Sequence, residues 1–284
     1  MLNNRIVSFM VILFVYIIAA FCGFIFFDVL HYDYRLSLLV ADILATVIVF
    51  AFSLILRNAS VYDPYWSVQP IVILIGFAVR NNLVFTLPNL NLLGILLLCV
   101  VCGWGLRLTA NWCYTFKNLN WQDWRYSMLK EKTGKLYPFV NFAGIHMFPT
   151  LVVYLCILPA VTAITEGFEF KPLCIPFLLL STAAFIIQGI ADFQMHRFRK
   201  RGEGTFIREG LWKHSRHPNY LGEILMWWGI GLACVAAKPE QWYLLAGAVL
   251  NTCLFLFVSI PMAEKHQSRK EGFEEYKKQT RILI

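Results

Sequence analysis

Long apolar stretches separated by short polar segments dominate the chain. Most approach or exceed the ~20 residues that an α-helix needs to cross the hydrocarbon core of a bilayer. The pattern predicts an all-α, polytopic integral membrane helical bundle of about seven or eight transmembrane helices. The first stretch is too long for a signal-peptide core and lacks a small-residue cleavage site, so we interpret it as a retained helix. The predicted spans are residues 6–27, 36–56, 64–79, 90–114, 139–165, 173–196, 219–237 and 241–261.

Charge is sparse and unevenly placed. Charged residues make up 15% of the 284 residues, hydrophobic residues 58%, and the net charge is +8. With the amino terminus placed in the cytoplasm, 20 of the 25 lysines and arginines fall in cytoplasmic segments and 4 in external ones. This asymmetry predicts that both termini are cytoplasmic. Basic loops beside anionic lipid explain the positive charge without nucleic acid.

The eight cysteines are scattered and lie mostly in apolar stretches, where cysteine is commonly a small core residue. Cys99 and Cys102 have CxxC spacing, but no second pair or histidine lies near them in the sequence. We therefore expect neither a disulfide framework nor a metal site. The two longest loops, residues 117–138 and 197–218, are polar, and neither a soluble domain nor an obligate protein partner is indicated.

Four charged residues lie within the predicted spans: Asp42, Arg107, Asp192 and Glu223. A charge in hydrocarbon costs at least ~2.5 kcal/mol on insertion scales, so each marks a candidate functional site. For Asp42, a structural ion pair with Arg107 explains the charge equally well. Asp63 precedes Pro64 at the start of the third span. There it could cap the helix or, with the aromatic residues beside it, line a substrate entrance.

The end of the sixth span carries a polar stripe in the segment QGIADFQMHRFRK. Gln188, Asp192 and Arg199 lie at positions i, i+4 and i+11, with His196 at i+8, so they share one face of a helix. Such a face suits a polar ligand that reaches into the bundle from the cytoplasm. A snorkelling helix end is the alternative. A snorkelling helix end accounts for the basic residues from Arg197 onward, but it accounts poorly for Gln188 and Asp192.

The segment KHSRHPNYLGE leads into the seventh span. Pro218 suits the first turn of a helix, which places Asn219 and Glu223 four residues apart on one face. Arg216 and His217 directly precede this helix, whose free N–H groups attract anions. The segment therefore predicts a phosphate site at the membrane surface, with a polar stripe that points into the bundle.

The carboxyl-terminal tail, EKHQSRKEGFEEYKKQTRILI, is amphipathic. One interpretation is a short helix on the lipid surface. The alternative is that the tail folds over the phosphate site and brings four side chains to the ligand, namely Lys265, His266, Arg269 and Tyr276.

The segment GLWKHSRHPNYLGEILMWWGI resembles the carboxyl-terminal signature of the steroid 5-alpha-reductase-like membrane reductases, in particular their bacterial branch. The likeness is strongest over residues 180–284 and extends to YDPYWS and WGLRL. It implies tilted helices around a cavity, with residues 1–138 on the substrate side and 139–284 as the cofactor-binding half. The resemblance implies NADPH as the cofactor. The residues implied to contact NADPH are Gln188, Asp192, Arg199, Asn219 and Glu223, and the tail is implied to contact it near His266 and Arg269. The anion site predicted above adds Arg216 and His217 to this set.

The resemblance also implies a reaction. A hydride from NADPH adds to the β-carbon of a carbon–carbon double bond conjugated to a carbonyl, in a steroid or another lipid-like substrate, and the α-carbon is protonated. Steroid-acting members hold the ketone with a tyrosine and a glutamate that find no match here, since Trp104 stands at the tyrosine position. The nearest chemical substitutes are Asp63, Tyr65 and Asp42. We predict Asp63, Tyr65 and Glu223 as catalytic residues.

Two other functions fit parts of the sequence. Isoprenylcysteine carboxyl methyltransferases, which use S-adenosylmethionine, resemble the chain at RHPNYLG and in the tail. However, Asn219, Glu223 and the stripe of the sixth span follow the reductase pattern. A binding or transport protein without catalysis would also explain charges within the spans. We favour the reductase interpretation.

Overall fold

The computed structural model describes residues 3–81, 91–202 and 204–283. Within these ranges the chain is helical and contains no β-strand. Short 3-10 turns at Ala59–Tyr62 and Gly210–Lys213 lie between helices. The helices are α1 (Arg5–Val29), α2 (Tyr34–Ile55), α3 (Tyr65–Arg80), α4 (Leu92–Thr115), α5 (Trp124–Thr165), α6 (Cys174–Arg201), α7 (Pro218–Ala237), α8 (Pro239–Gln267) and α9 (Phe273–Gln279).

Seven of the described helices, α1, α2 and α4 to α8, are long and apolar enough to cross a membrane. The remaining predicted span corresponds to α3, whose 16 residues extend ~24 Å at ~1.5 Å per residue, less than the ~30 Å hydrocarbon core. Exposed side chains such as Leu13, Ile17 and Phe21 of α1 are apolar, as contact with lipid requires. The prediction of an all-α, polytopic membrane bundle is therefore confirmed.

Local sequence signals set several helix ends. Asn4 caps α1 by accepting hydrogen bonds from the amides of Ile6 and Val7 at 2.9 and 3.3 Å. Gly202 caps α6 directly after its last residue, and its φ of 68° is the left-handed conformation that glycine adopts without steric cost. Pro218 is the first residue of α7, as predicted, because its fixed φ suits a first helical turn.

The predicted polar loop 117–138 is partly helical. Its residues Trp124–Thr133 form the first part of α5, which Asp123 caps by accepting a hydrogen bond from the Arg125 amide at 2.9 Å. This helical segment ends at Gly134, whose φ is 49°, and a short turn then leads through a π-helical segment, Asn141–Met147, into the apolar part of the span. The search for apolar stretches did not find the first part of α5, because Trp124–Thr133 is largely polar and its start is set by the Asp123 cap.

Two compact units make up the fold. The first comprises Met1–Ile73 and Leu108–Tyr154, and the second comprises Leu74–Arg107 and Leu155–Ile284. The predicted boundary between residues 138 and 139 lies inside α5, within the first unit. Each unit encloses its own group of buried polar side chains.

Candidate functional site

Glu223 lies at the centre of a buried hydrogen-bonded network in the second unit. Only 4% of the residue is exposed. Its Oε2 accepts hydrogen bonds from Trp104 Nε1 at 2.8 Å and Gln188 Nε2 at 3.0 Å. Its Oε1 accepts one from Trp227 Nε1 at 2.8 Å. Three N–H donors thus converge on one carboxyl group, an arrangement that suits the ionised carboxylate. We call these residues, with Arg107 and Asp192, the Glu223 network.

Arg107 extends the network. Its guanidinium donates to Asp192 Oδ2 at 2.7 Å and to Gln188 Oε1 at 2.5 Å, so its charge is paired with Asp192 rather than with the suggested Asp42. Gln188 therefore connects Arg107 to Glu223. Arg107 Nε is buried and has no hydrogen-bond partner among the described residues. A buried donor without an acceptor costs ~1–3 kcal/mol, so this atom suits an oxygen of a ligand or a water molecule.

Close packing of α6 against α7 brings the network together. A Cβ at Gly222, next to Glu223, would lie 2.5 Å from Gln188 Cγ. Further along the same two helices, a Cβ at Gly229 would lie 2.2 Å from Ser181 Oγ. Larger residues would separate the helices. The two glycines therefore allow α6 to approach α7 closely enough for Gln188 to reach Glu223.

The structure brings together only part of the predicted cofactor set. Gln188 and Asp192 of α6 meet Glu223 of α7 in the network, although Glu223 lies more than 30 residues after both in the sequence. Of the others, Asn219 and His266 are half-buried, whereas Arg199 and Arg269 are exposed.

Three members of the network were not predicted as site residues. Trp227 follows Glu223 at i+4 on α7, and this spacing could have indicated it. Trp104 and Arg107 belong to α4, more than 80 residues before their partners. Arg107 was noted because it is a charged residue within a predicted span. However, no spacing pattern in the sequence indicates that Trp104 or Arg107 contacts α6 or α7.

Arg216 and His217 face a carboxylate of the protein itself. Arg216 Nε donates to Glu264 Oε1 at 2.7 Å, and His217 Nε2 lies 3.4 Å from the same oxygen. Arg216 Nη1 also donates to the carbonyl oxygens of Lys277, at 3.0 Å, and Thr280. Burial lowers the pKa of His217, and Glu264 opposes this shift. A phosphate at the predicted anion site would therefore share these groups with Glu264.

The carboxyl-terminal tail packs against the segment that precedes α7. The amide of Arg216 donates to the carbonyl oxygen of Arg281 at 2.9 Å. The Tyr276 hydroxyl donates to the carbonyl oxygen of Trp212, and Phe273 and Tyr276 are both buried. The tail therefore folds back onto the segment that precedes α7, and contact of Lys265, His266, Arg269 and Tyr276 with a ligand stays a prediction.

A separate polar cluster lies in the first unit. Asp42 of α2 accepts a hydrogen bond from Gln69 Nε2 of α3 and interacts with the Tyr65 hydroxyl. Tyr65 also interacts with Thr46, whose Oγ1 lies 3.0 Å from Thr150 Oγ1. Asp42 and Tyr65 are 4% and 5% exposed. A tyrosine hydroxyl beside an acid, shielded from water, is suited to donate a hydrogen bond to a ligand oxygen.

Asp63, also in the first unit, lies two residues before the start of α3. Its Oδ1 accepts a hydrogen bond from the Tyr126 hydroxyl at 2.5 Å. Burial raises the pKa of Asp63 to about 6, while Arg125 and Tyr126 oppose the shift. The carboxyl group therefore titrates close to neutral pH.

The raised pKa of Asp63 predicts a pH-dependent stability. The folded protein holds the carboxyl proton of Asp63 more tightly than the unfolded chain does. The contribution of this proton to the free energy of unfolding is therefore fully present below about pH 4 and is lost as pH rises through about 6. Relative to Asp63→Asn, the free energy of unfolding of the wild type should fall by up to about 3 kcal/mol across that window. Thermal unfolding in detergent between pH 4 and 7 measures this. Glu131→Gln, at an exposed acid of α5, is the control. A pH-independent difference between wild type and Asp63→Asn would contradict the assignment.

Residues 49–280 match the family described as "Protein of unknown function (DUF1295)". The chain belongs to this family. It is 28% identical over 218 residues to an uncharacterized protein of Schizosaccharomyces pombe, in an alignment that covers 67% of this chain and 61% of the relative. It is also 32% identical over 104 residues to 3-oxo-5-alpha-steroid 4-dehydrogenase 1 of Macaca fascicularis, covering 36% of each chain. No solved structure matches the chain.

The part of the chain shared with the DUF1295 family contains most of the buried polar side chains described above. The matched range includes every member of the Glu223 network as well as Asp63 and Tyr65, whereas Asp42 precedes it. The chain spans 61% and 36% of the lengths of the two relatives. It is an integral membrane protein of this family with distant similarity to a steroid dehydrogenase.

Proposed function

We propose that the protein is an NADPH-dependent membrane reductase of a carbon–carbon double bond conjugated to a carbonyl, in a steroid or another lipid-like substrate. The observation that carries the proposal is the Glu223 network. It joins residues at which the resemblance implies cofactor binding, and its buried Arg107 Nε donor has no partner among the described residues. The similarity to a steroid dehydrogenase supports the same reaction class. Within the family we assign the chain to the bacterial branch, in the inner membrane with both termini cytoplasmic.

The donors and acceptors of the second unit fit the polar groups of a nicotinamide dinucleotide. The orphan Nε–H of Arg107 suits a carbonyl or ribose oxygen. The carboxylate of Asp192 and the half-buried amide of Asn219 suit hydroxyl and amide groups of the ligand. Gln188 holds the Arg107 side chain in place, and Glu223 in turn holds Gln188, because these residues are joined by hydrogen bonds within the network. Arg199, Arg216, His217, His266 and Arg269 supply the remaining proposed contacts.

The reduction needs a hydride, a donor for the carbonyl oxygen and a proton for the α-carbon. When bound, NADPH supplies the hydride. We propose that the Tyr65 hydroxyl, which interacts with Asp42, rotates its hydrogen away from Asp42 and donates it to the carbonyl oxygen as negative charge develops there. Asp63, with a pKa of about 6, is suited to deliver the proton. The product is the saturated carbonyl compound.

Ligand-induced stabilisation separates the proposal from its alternatives. The purified protein should be titrated with NADPH and, separately, with S-adenosylmethionine while thermal unfolding is followed in detergent. A ligand at a hundredfold excess over Kd stabilises the folded state by ~2.7 kcal/mol. We expect this from NADPH alone. Stabilisation by S-adenosylmethionine alone would favour a methyltransferase, and stabilisation by neither would favour a binding or transport protein.

A further inference from the structure

His146 of α5 carries a buried ring nitrogen that lacks a hydrogen-bond partner. The residue is fully buried in the first unit. Its Nδ1 lies 3.0 Å from the backbone carbonyl oxygen of Asn141, which can only accept, so Nδ1 carries the hydrogen of the ring. Nε2 therefore presents a lone pair, and it has no partner among the described residues. A buried polar atom in this state costs ~1–3 kcal/mol, so the site favours a ligand that supplies a donor.

The π-helical segment Asn141–Met147 contains a second acceptor of this kind. Such segments interrupt an α-helix by a single widened turn and occur frequently at functional sites. Asn141 Oδ1 is buried and has no partner among the described residues, while Nδ2 of the same side chain donates to Ser53 Oγ at 3.4 Å. The unsatisfied atoms of the segment are thus both acceptors. A ligand group that only accepts, such as a ketone, cannot satisfy them.

Aromatic rings flank the imidazole of His146. The ring centroids of Tyr62 and Phe50 lie 4.7 and 5.4 Å from its own. Phe50 in turn packs against Phe142, with centroids 5.0 Å apart. These neighbours are uncharged, so an ammonium donor would be buried without a counter-ion at contact distance. A neutral hydroxyl group on an otherwise apolar molecule fits these surroundings.

A row of hydroxyl groups leads from this site to Tyr65. The Tyr62 hydroxyl lies 2.8 Å from Thr150 Oγ1, which lies 3.0 Å from Thr46 Oγ1. Thr46 interacts with Tyr65, which is proposed to bind the substrate carbonyl. The Tyr62 ring lies 4.7 Å from that of His146 and 5.4 Å from that of Tyr65, so the two outer rings are at most about 10 Å apart. One lipid-like molecule can therefore reach both.

We propose that His146 Nε2 accepts a hydrogen bond from a hydroxyl group of the substrate, which makes the substrate a hydroxylated lipid that also carries the conjugated carbonyl. That the hydroxyl belongs to the substrate rests on the proposed function. The demand for a neutral donor at Nε2 does not, because it follows from the contacts of His146 itself. A water molecule offers the same donor without the lipid.

NMR of the full-length protein, labelled with ¹⁵N-histidine and held in detergent micelles, tests the proposal. The chain has six histidines, and His146→Phe and His146→Gln each remove the signals of one, which identifies His146. Cyclohexanol should move its Nε2 signal to lower frequency, as expected of a lone pair that accepts a hydrogen bond. Methoxycyclohexane has a similar ring but no O–H and should leave the signal in place. His31→Phe is the matched control, because His31 is exposed and its loss should change neither response.

The outcomes separate a ligand hydroxyl from water and from the reductase reaction. A shift with cyclohexanol alone supports the proposal. If neither compound moves the Nε2 signal, water or the protein already satisfies this atom, and the proposal is overturned. Equal shifts with both compounds also overturn it, because the ether cannot donate. The measurement needs neither NADPH nor turnover. A shift with cyclohexanol alone, in a protein that NADPH does not stabilise, would therefore support the hydroxyl site and contradict the reductase.

Discussion

Replacing Glu223 by glutamine is expected to weaken NADPH binding about tenfold and to lower the free energy of unfolding by about 2–3 kcal/mol. The wild-type carboxylate accepts hydrogen bonds from Trp104, Gln188 and Trp227. A glutamine side chain offers one oxygen and turns an N–H₂ group toward at least one of these donors. Hydrogen bonds to charged groups contribute ~1.5–3 kcal/mol each, so the loss affects both the fold and the orientation of Gln188.

Thermal unfolding and NADPH calorimetry on the same detergent-solubilised samples separate these two effects. Glu240→Gln is the control, because Glu240 is an exposed acid just after the end of α7. It should match the wild type in both measurements. A Glu223→Gln protein that is destabilised but binds NADPH with wild-type affinity would show that the network is structural and does not hold the cofactor.

Replacing Tyr65 by phenylalanine is expected to lower kcat about 100-fold while leaving the Kd for NADPH unchanged. The substitution removes the hydroxyl that interacts with Asp42 and Thr46 and keeps the ring. Loss of one hydrogen-bond donor to a developing oxyanion typically costs 10²–10³ in rate. The cofactor contacts are proposed on other helices, so binding of NADPH should not depend on this hydroxyl.

Turnover of a 3-oxo-4-ene steroid, followed by NADPH consumption, measures the effect of this substitution. Tyr32→Phe is the matched control, because Tyr32 is 63% exposed and should tolerate loss of its hydroxyl. Wild-type kcat in Tyr65→Phe would remove Tyr65 from the reaction. A loss of NADPH binding in a folded Tyr65→Phe protein would also contradict the separation of roles.

Periodicity and local signals predicted most of the helices. The length of the apolar stretches was enough to predict the membrane spans, and Pro218 indicated the start of α7. The i,i+4 spacing placed Gln188 with Asp192 and Asn219 with Glu223 on common helix faces. The short α3 was predicted as a span because its composition is apolar, although it has only 16 residues. The polar first part of α5 went unrecognised because its start depends on the Asp123 cap.

Contacts between distant segments could not be predicted from spacing. Trp104 and Glu223 are separated by 119 residues, and their hydrogen bond exists because α4 packs beside α7. Likewise, Glu264 reaches Arg216 from α8 across 48 residues, and no local pattern identifies it as the partner of that cation. The glycines that let α6 approach α7 are visible in the sequence, but the side chains opposite them are not.

The most direct test of the reductase proposal is isotope transfer. The purified protein, reconstituted in lipid, should be incubated with NADPH deuterated at the transferable position and a 3-oxo-4-ene steroid together with a bacterial lipid extract. Mass spectrometry should then find a saturated carbonyl product that carries one deuterium at the β-carbon and one solvent proton at the α-carbon. Absence of deuterium from every lipid, in a protein that is folded and supplied with NADPH, would contradict the reductase account.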